Sequence, residues 1–179
     1  MGGERLIIRD TVDSDLNTLV ELHREAFGET EGDRVARLAV ELLQDSTARP
    51  LISLVASIDG LVVGHVIFSK ASVEGDAERS GYILAPLAVH PAFQRRGIGT
   101  ALIRRGIERL TQLKADYVLV LGNPDYYQRA GFTAAHAIFP PYELDYPEAW
   151  MILRLNQDGV GETKGVVRCA KALCWPELW

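Results

Sequence analysis

The sequence predicts a single-domain α/β protein built on a mixed sheet, and three observations carry that prediction. Leu51 to Ile58 and Leu61 to Phe68 are runs rich in Val, Ile and Leu joined by Asp59-Gly60, the strongest short-range signal for an antiparallel hairpin. The apolar run Tyr82 to Val89 is followed by a two-glycine loop, a helical pattern and a second apolar run, Tyr117 to Leu121. A helical crossover makes those two runs parallel neighbours, so the sheet is mixed. At 179 residues and 47% hydrophobic, the chain has enough apolar surface for one sizeable core and too little length for a second domain.

Leu6-Ile7-Ile8 reads as a first strand closed by Asp10-Thr11. Asp13 or Ser14 then caps a helix whose stripe is Leu16, Leu19, Val20, His23, Ala26 and Phe27. His23 on that stripe is read as a packed side chain with one hydrogen bond, and no catalytic role is assigned to it. Phe27 to Asp33, rich in Gly and Glu, is expected to be a loop, and Val35, Leu38, Ala39, Leu42 and Leu43 form a second helix. After the hairpin, Val73 to Ser80 is polar and is expected to be a loop or hairpin end.

Tyr82 to Val89, apolar on both faces, predicts a central strand. Pro86 has no N–H for a ladder, so a bulge or splay is expected at Ala85-Pro86, freeing nearby backbone groups. The next helix is expected over Ile98 to Lys114, with Ile98, Leu102, Ile103, Ile107, Leu110 and Leu113 facing inward. Two parallel strands that diverge at a bulge leave a crevice between them. Gly122-Asn123-Pro124 ends the strand Tyr117 to Leu121 and starts a short helix carrying Tyr126, Tyr127 and Arg129, which stops at Gly131. Trp150 to Leu155 is the last strong strand. Residues 1–155 are assigned to the domain, and 156–179 to an irregular tail packed on it.

The net charge of −5 argues against a nucleic-acid partner, because phosphate-backbone affinity needs a clustered basic surface and the arginines concentrate only around the glycine loop. The start, Met1 to Arg5, is not a leader by its composition, and Leu6 stands where a myristoylation signal wants Ser or Thr. Nowhere do eighteen apolar residues run together, so a membrane partner is not expected and the protein is placed in the cytoplasm, as a monomer or homodimer. Cys169 and Cys174 lack CxxC spacing, so free thiols of a reducing compartment are expected and no metal site.

The most informative stretch is Gln94-Arg95-Arg96-Gly97-Ile98-Gly99-Thr100. Two glycines between a strand and a helix let the backbone approach a ligand, and the first-turn N–H groups then point at it. The helix dipole and two arginines suit a phosphate or pyrophosphate, so the ligand is expected to be a phosphorylated cofactor. A dinucleotide fingerprint fails, because Leu102 stands where the third glycine belongs and Asp116 precedes the next strand instead of ending it. A Walker loop fails too, since no Gly-Lys-Ser/Thr is present after it.

These residues resemble the GNAT superfamily of N-acetyltransferases, whose acyl-coenzyme A signature is Q/R-x-x-G-x-G/A. Gln94 to Gly99 fills every position, Leu87-Ala88-Val89-His90-Pro91 is similar to the L-x-V-x-P lead-in, and Tyr127 to Phe132 resembles the downstream Y-x-x-x-G-F. Gly122 to Tyr127 resembles a branch of small bacterial members with a G-D/N-P-x-Y-Y turn. The resemblance spans Leu6 to Leu155 and implies a twisted sheet opened into a V at the central strand, with acetyl-coenzyme A in the cleft. It also implies that the pyrophosphate sits on Arg95, Arg96, Gly97, Ile98, Gly99 and Thr100 behind Gln94. Leu87, Ala88 and Val89 would pair with the pantetheine arm, and Tyr126 would lie against the cofactor.

In the reaction so implied, an amine attacks the thioester directly, and Tyr127 matches the family's general acid. A phenol with a pKa of about 10 stays protonated at neutral pH and so has a proton to give. Helix geometry aims adjacent residues about 100° apart, so only one of Tyr126 and Tyr127 faces the thiol. The central strand offers no carboxylate base. Glu25, Glu29, Glu31 and His90 are the neighbours considered, with a base acting through water, or an acceptor already neutral, as alternatives. The acceptor is a small-molecule or peptide amine. A non-catalytic acyl-coenzyme A sensor is the competing reading, and turnover separates the two.

Overall fold

Asp59 and Gly60 both sit at positive φ, 50° and 84°, which is what a two-residue hairpin turn requires. They join β2 (Ile52–Ile58) to β3 (Leu61–Val73) in antiparallel register, Ile58 opposite Leu61. The structure is a computed structural model and describes residues 5–135, 137–158 and 163–179. Residues 1–4, on which the reading of the N-terminus rests, and 159–162 of the glycine-rich tail lie outside the described residues. The polar stretch expected as a loop or hairpin end is a hairpin end, most of it strand. β3 continues to Val73, turns through Glu74-Gly75, and returns as β4 (Asp76–Val89).

The hairpin pattern extends on one side to β1 (Leu6–Asp10), antiparallel to β2. On the other side β5 (Tyr117–Leu121) runs parallel to β4, and β8 (Trp150–Arg154) runs antiparallel to β5 with β6 (Thr133–Ala134) at its far edge. The tail is not irregular throughout. Its β9 (Gly165–Arg168) pairs with the end of β3 and with β7 (Ile138–Phe139), because Val167, Ala170, Ala172 and Leu173 are apolar enough to be buried in the core.

Alternation along the strands sorts the core. Leu54, Phe68 and Tyr82 face α2 (Ile98–Gln112), while Val55, Ile67 and Ile83 face α1 (Leu16–Gln44). Where a loop is expected between two helices, the break is one residue, Gly28 at φ 75°. Gly32 then lies directly on the backbone of Arg24, where a Cβ would stand 2.6 Å from the carbonyl oxygen, so the chain re-enters helix with no room for a side chain there. Leu113, expected inward, lies past the end of α2 and is 56% exposed, because the helix stops at Gln112 and Lys114 turns at φ 57°.

The predicted irregularity at Ala85-Pro86 is present. Opposite Val66 to Phe68, β4 places Leu87 and Leu84, so two residues of β4 face Ile67 alone. β4 also leaves β5 at this point. The parallel pairing ends at Ile83 and Leu119, while Val120 and Leu121 continue to pair with β8. The sheet therefore opens between β4 and β5 with Leu84 to Leu87 on one lip.

Under the first half of α1 runs a buried polar chain. Thr11 Oγ1 and Ser53 Oγ are 2.6 Å apart, Ser53 Oγ and His65 Nε2 are 2.8 Å apart, and His65 Nδ1 is 2.8 Å from His23 Nε2. His23 is thus packed with a single hydrogen bond, as its place on the apolar stripe suggests. Burial lowers the His23 pKa from 6.5 to about 4 and holds that of His65 well below its usual value. The unfolded chain therefore binds protons that the folded chain does not. This part of the stability is complete above pH 6.5 and is lost as the pH falls toward 4. For His23 alone, the loss between pH 7 and pH 5 is about 2 kcal/mol, visible as a lower urea midpoint. A midpoint unchanged between these pH values would show that the two imidazoles are not held neutral by burial.

Candidate active site

The glycine loop begins where β4 ends. Gln94 ties the loop to the strand: its Nε2 donates to the Val89 carbonyl at 3.0 Å. Arg95 takes a positive φ of 61°, and Gly97 at φ 78° sits at the N-cap of α2 with no side chain capping the helix. The first-turn amides thus open toward solvent with the positive end of the helix dipole behind them. Apart from its two chain neighbours and the backbone of its own helix, no heavy atom of the described residues lies within 4 Å of where a Gly97 side chain would begin, so the backbone is approachable. The donor set fits a pyrophosphate.

A cavity of about 550 Å³ covers this loop, lined by Leu87, Val89, Gln94, Arg95, Gly97, Ile98, Gly99, Thr100, Tyr126 and Arg129. The side chain of Ile98 is nonetheless buried at 3% exposure in the core, so only its backbone serves the cavity. Ala88 points the other way, beneath α1 beside Leu19 and Val55. Arg96 lies over the Phe93 ring at 5.1 Å. Arg129 lines the cavity although the sequence reading gives it no role. It comes three residues after Tyr126, the spacing that shares a helix face, and that is the signal the sequence holds for it. Along the outer side of α2 the space continues past Arg104 and Glu108.

The two tyrosines go to different places. Asn123 caps α3 (Pro124–Tyr127) by accepting from Asp125 N at 2.9 Å, with Pro124 at the first helical position. From this short helix, Tyr126 reaches the loop, where its hydroxyl lies against Gly99 and its ring lines the cavity with Thr100. A Cβ at Gly99 would collide with the Tyr126 hydroxyl. Tyr127 instead enters the opening between β4 and β5. Its ring lies against Gly122 and is held edge-on by Tyr126 and Phe132, with centroids 5.1 and 5.7 Å away. Burial, and secondarily Tyr126, push the Tyr127 phenol above its ordinary pKa, so it is protonated at neutral pH.

Tyr127 lines a second cleft of about 410 Å³ with Leu84, Pro86, Leu87, Leu121, Gly122 and Asn123. Leu87 lines both spaces. The far wall is Phe27, Glu31, Arg34 and Leu38 of α1, closed by Glu177 and Leu178. Sequence reasoning misses Glu177 and Leu178, because nothing local links them to a cleft some fifty positions earlier. Of the carboxylates considered as bases, Glu31 alone lines this cleft. Glu25 accepts from His90 Nε2 at 2.7 Å, while His90 Nδ1 accepts from Ala92 N, so these two satisfy each other at the end of β4. Among the described residues no group of three or more His, Cys, Asp or Glu is arranged to hold a metal ion, and no helix is long and apolar enough to cross a membrane.

Comparison with known proteins points the same way. The sequence model of the acetyltransferase (GNAT) family matches residues 16–132. The chain is 39% identical over 163 residues to the uncharacterized N-acetyltransferase YjhQ of Escherichia coli K12, covering 88% of each. The crystal structure of E. coli YhbS, a GNAT family N-acetyltransferase in complex with CoA, superposes with a TM-score of 0.87 at 28% identity, covering 97% of this chain and 94% of that one. A GNAT family acetyltransferase from Brucella melitensis in complex with acetyl-CoA gives a TM-score of 0.77 at 29% identity, over 94% and 98%. Because the family match spans the segment that builds the loop, the bulged strand and the tyrosine turn, the chain belongs to the acetyltransferase (GNAT) family and is an acyltransferase.

Proposed function

We propose that the protein moves the acetyl group of acetyl-CoA to a primary amine by direct attack, with Tyr127 as general acid. The observation that carries this reading is the division of labour between adjacent tyrosines. The Tyr126 hydroxyl lies against Gly99 of the glycine loop, whereas Tyr127 stands protonated in the neighbouring cleft, with Leu87 lining both spaces. CoA and acetyl-CoA in the YhbS and Brucella structures support the same cosubstrate here. In this reading the amides from Arg95 to Thr100 hold the pyrophosphate, and Gln94 and Arg96 brace the loop. The backbone of Leu87, Ala88 and Val89 pairs with the pantetheine arm along the edge that β4 no longer shares with β5. The amine adds to the thioester carbonyl, the carbon–sulfur bond breaks, and the Tyr127 O–H gives its proton to the departing thiolate.

The acceptor enters from the α1 side. Phe27, Leu121 and Leu178 with Glu31 suit a primary amine carried on an apolar body, either a small molecule or a peptide N-terminus. The test is an acceptor panel that follows thiol release from acetyl-CoA, with phenethylamine, spermidine, a lysine derivative and an alanine-terminated peptide as entrants. Release above the hydrolysis rate with at least one amine is expected, and none with any would favour the sensor.

Proton removal from the attacking amine is assigned to water instead of a dedicated carboxylate, because Glu25 is engaged with His90 and Glu31 is exposed. The rise of kcat/KM with pH should then track the acceptor's own pKa and move to lower pH with a less basic amine. An inflection that stays put for two acceptors and vanishes in Glu31→Gln would make Glu31 the base.

A further inference from the structure

The spacing of Cys169 and Cys174 predicts two unrelated free thiols, yet the fold brings their sulfurs to 3.8 Å. They bracket the single 3₁₀ turn Lys171–Leu173. That turn is pinned at its start, where Lys171 N donates to Thr47 Oγ1 and Ala172 N to Asp45 Oδ2, both at 2.9 Å. Cys169, next to this anchor, is half-buried in the core, whereas Cys174 is exposed, its sulfur 3.4 Å from the Ala170 carbonyl. The two sulfurs therefore touch across one turn, one half-buried and one exposed.

The residues beyond Cys174 form a wall of the second cleft. Glu177 and Leu178 line it, the Glu177 carbonyl accepts from Arg34 Nη1 at 2.7 Å, and Trp179 Nε1 donates to the carbonyl of Leu173 inside the turn at 2.9 Å. The Trp179 ring rests on Trp150, centroids 5.4 Å apart. The turn between the cysteines is thus also the base on which residues 175–179 stand.

We propose that Cys169 and Cys174 form a reversible intramolecular disulfide that secures residues 175–179 across the cleft. The consequence for catalysis rests on reading that cleft as the acceptor's, while the thiol chemistry does not. With hydrogen peroxide as oxidant, the exposed Cys174 sulfur attacks one peroxide oxygen, the O–O bond breaks, one water leaves and Cys174 becomes a sulfenic acid. The Cys169 sulfur then attacks the Cys174 sulfur, the S–O bond breaks and a second water departs. Two thiols and one peroxide give one disulfide and two waters. Burial and the neighbouring thiol push the Cys169 pKa up to about 12, which makes the second step the slow one.

The experiment treats the full chain, Cys169→Ser, Cys174→Ser and the double variant with one equivalent of peroxide. In the wild type, both iodoacetamide-reactive thiols should disappear, the mass should fall by two hydrogens without change of oligomeric state, and dithiothreitol should reverse both. Cys169→Ser should stop at a dimedone-trapped sulfenic acid on Cys174, and Cys174→Ser should react on the order of tenfold more slowly. Amide exchange over residues 175–179 should slow by about threefold or more in the oxidised wild type and not in the double variant. Disulfides between chains, or over-oxidation of Cys174 in the wild type, would overturn the proposal. A bridge that leaves exchange unchanged would overturn its link to the cleft. Turnover of the reduced protein in the acceptor panel judges the reading of the cleft separately.

Discussion

Gly99→Glu is expected to abolish the rise in melting temperature that acetyl-CoA gives the wild-type protein. Cofactor at one hundred times its dissociation constant stabilises a folded protein by about 2.7 kcal/mol. For a domain of this size that is a shift of about 5–10 °C. Gly99 is buried in the first turn of α2, and a Cβ there already meets the Tyr126 hydroxyl. A glutamate would displace Tyr126 and place a negative charge among amides disposed to hold an anion. The melting temperature without ligand and the far-UV circular dichroism serve as controls for folding, and Arg95→Glu, at an exposed position, supplies the charge without the steric change. A full thermal shift in both variants would mean that the loop is not the cofactor site.

Tyr127→Phe should lower kcat by about 10²- to 10⁴-fold, the range for a positioned proton donor, while the acetyl-CoA thermal shift stays intact. The phenylalanine keeps the ring between Gly122, Tyr126 and Phe132 and removes only the O–H. Tyr126→Phe should act mainly on cofactor affinity, because its hydroxyl lies against Gly99 at the loop. Since burial raises the Tyr127 pKa, no alkaline loss of activity from its ionisation is expected below about pH 10. Equal and mild losses of kcat in the two variants would return both rings to a packing role.

Much of this was legible in the chain because the signals are local. Asp59-Gly60 specified its hairpin, Pro86 its bulge, and Gly97 and Gly99 their loop, each through the backbone angles and amide donors of contiguous residues. Adjacent tyrosines at about 100° told that one would face the thiol but not which, since that depends on where the whole turn docks against β4. Glu25 and His90, read one by one as possible bases, are partners across the fold. The expected loop at Phe27 to Asp33 shrank to Gly28 because Gly32 can lie on Arg24, a contact invisible until the two halves of α1 meet.

Its motifs carried the resemblance to the family, and by itself the sequence determined the α/β class, the mixed sheet and the two-glycine loop between strand and helix. These rest on periodicity and turn chemistry that act within a few residues. Tertiary structure alone decided the cleft. Glu31 and Arg34 from α1, Leu87 and Tyr127 from the divided sheet, and Glu177 and Leu178 from far along the chain line one space. The same is true of the contact between Cys169 and Cys174, whose turn is anchored on Asp45 and Thr47. Which side chains share a volume is chosen by packing among elements distant in sequence, and no local pattern encodes it.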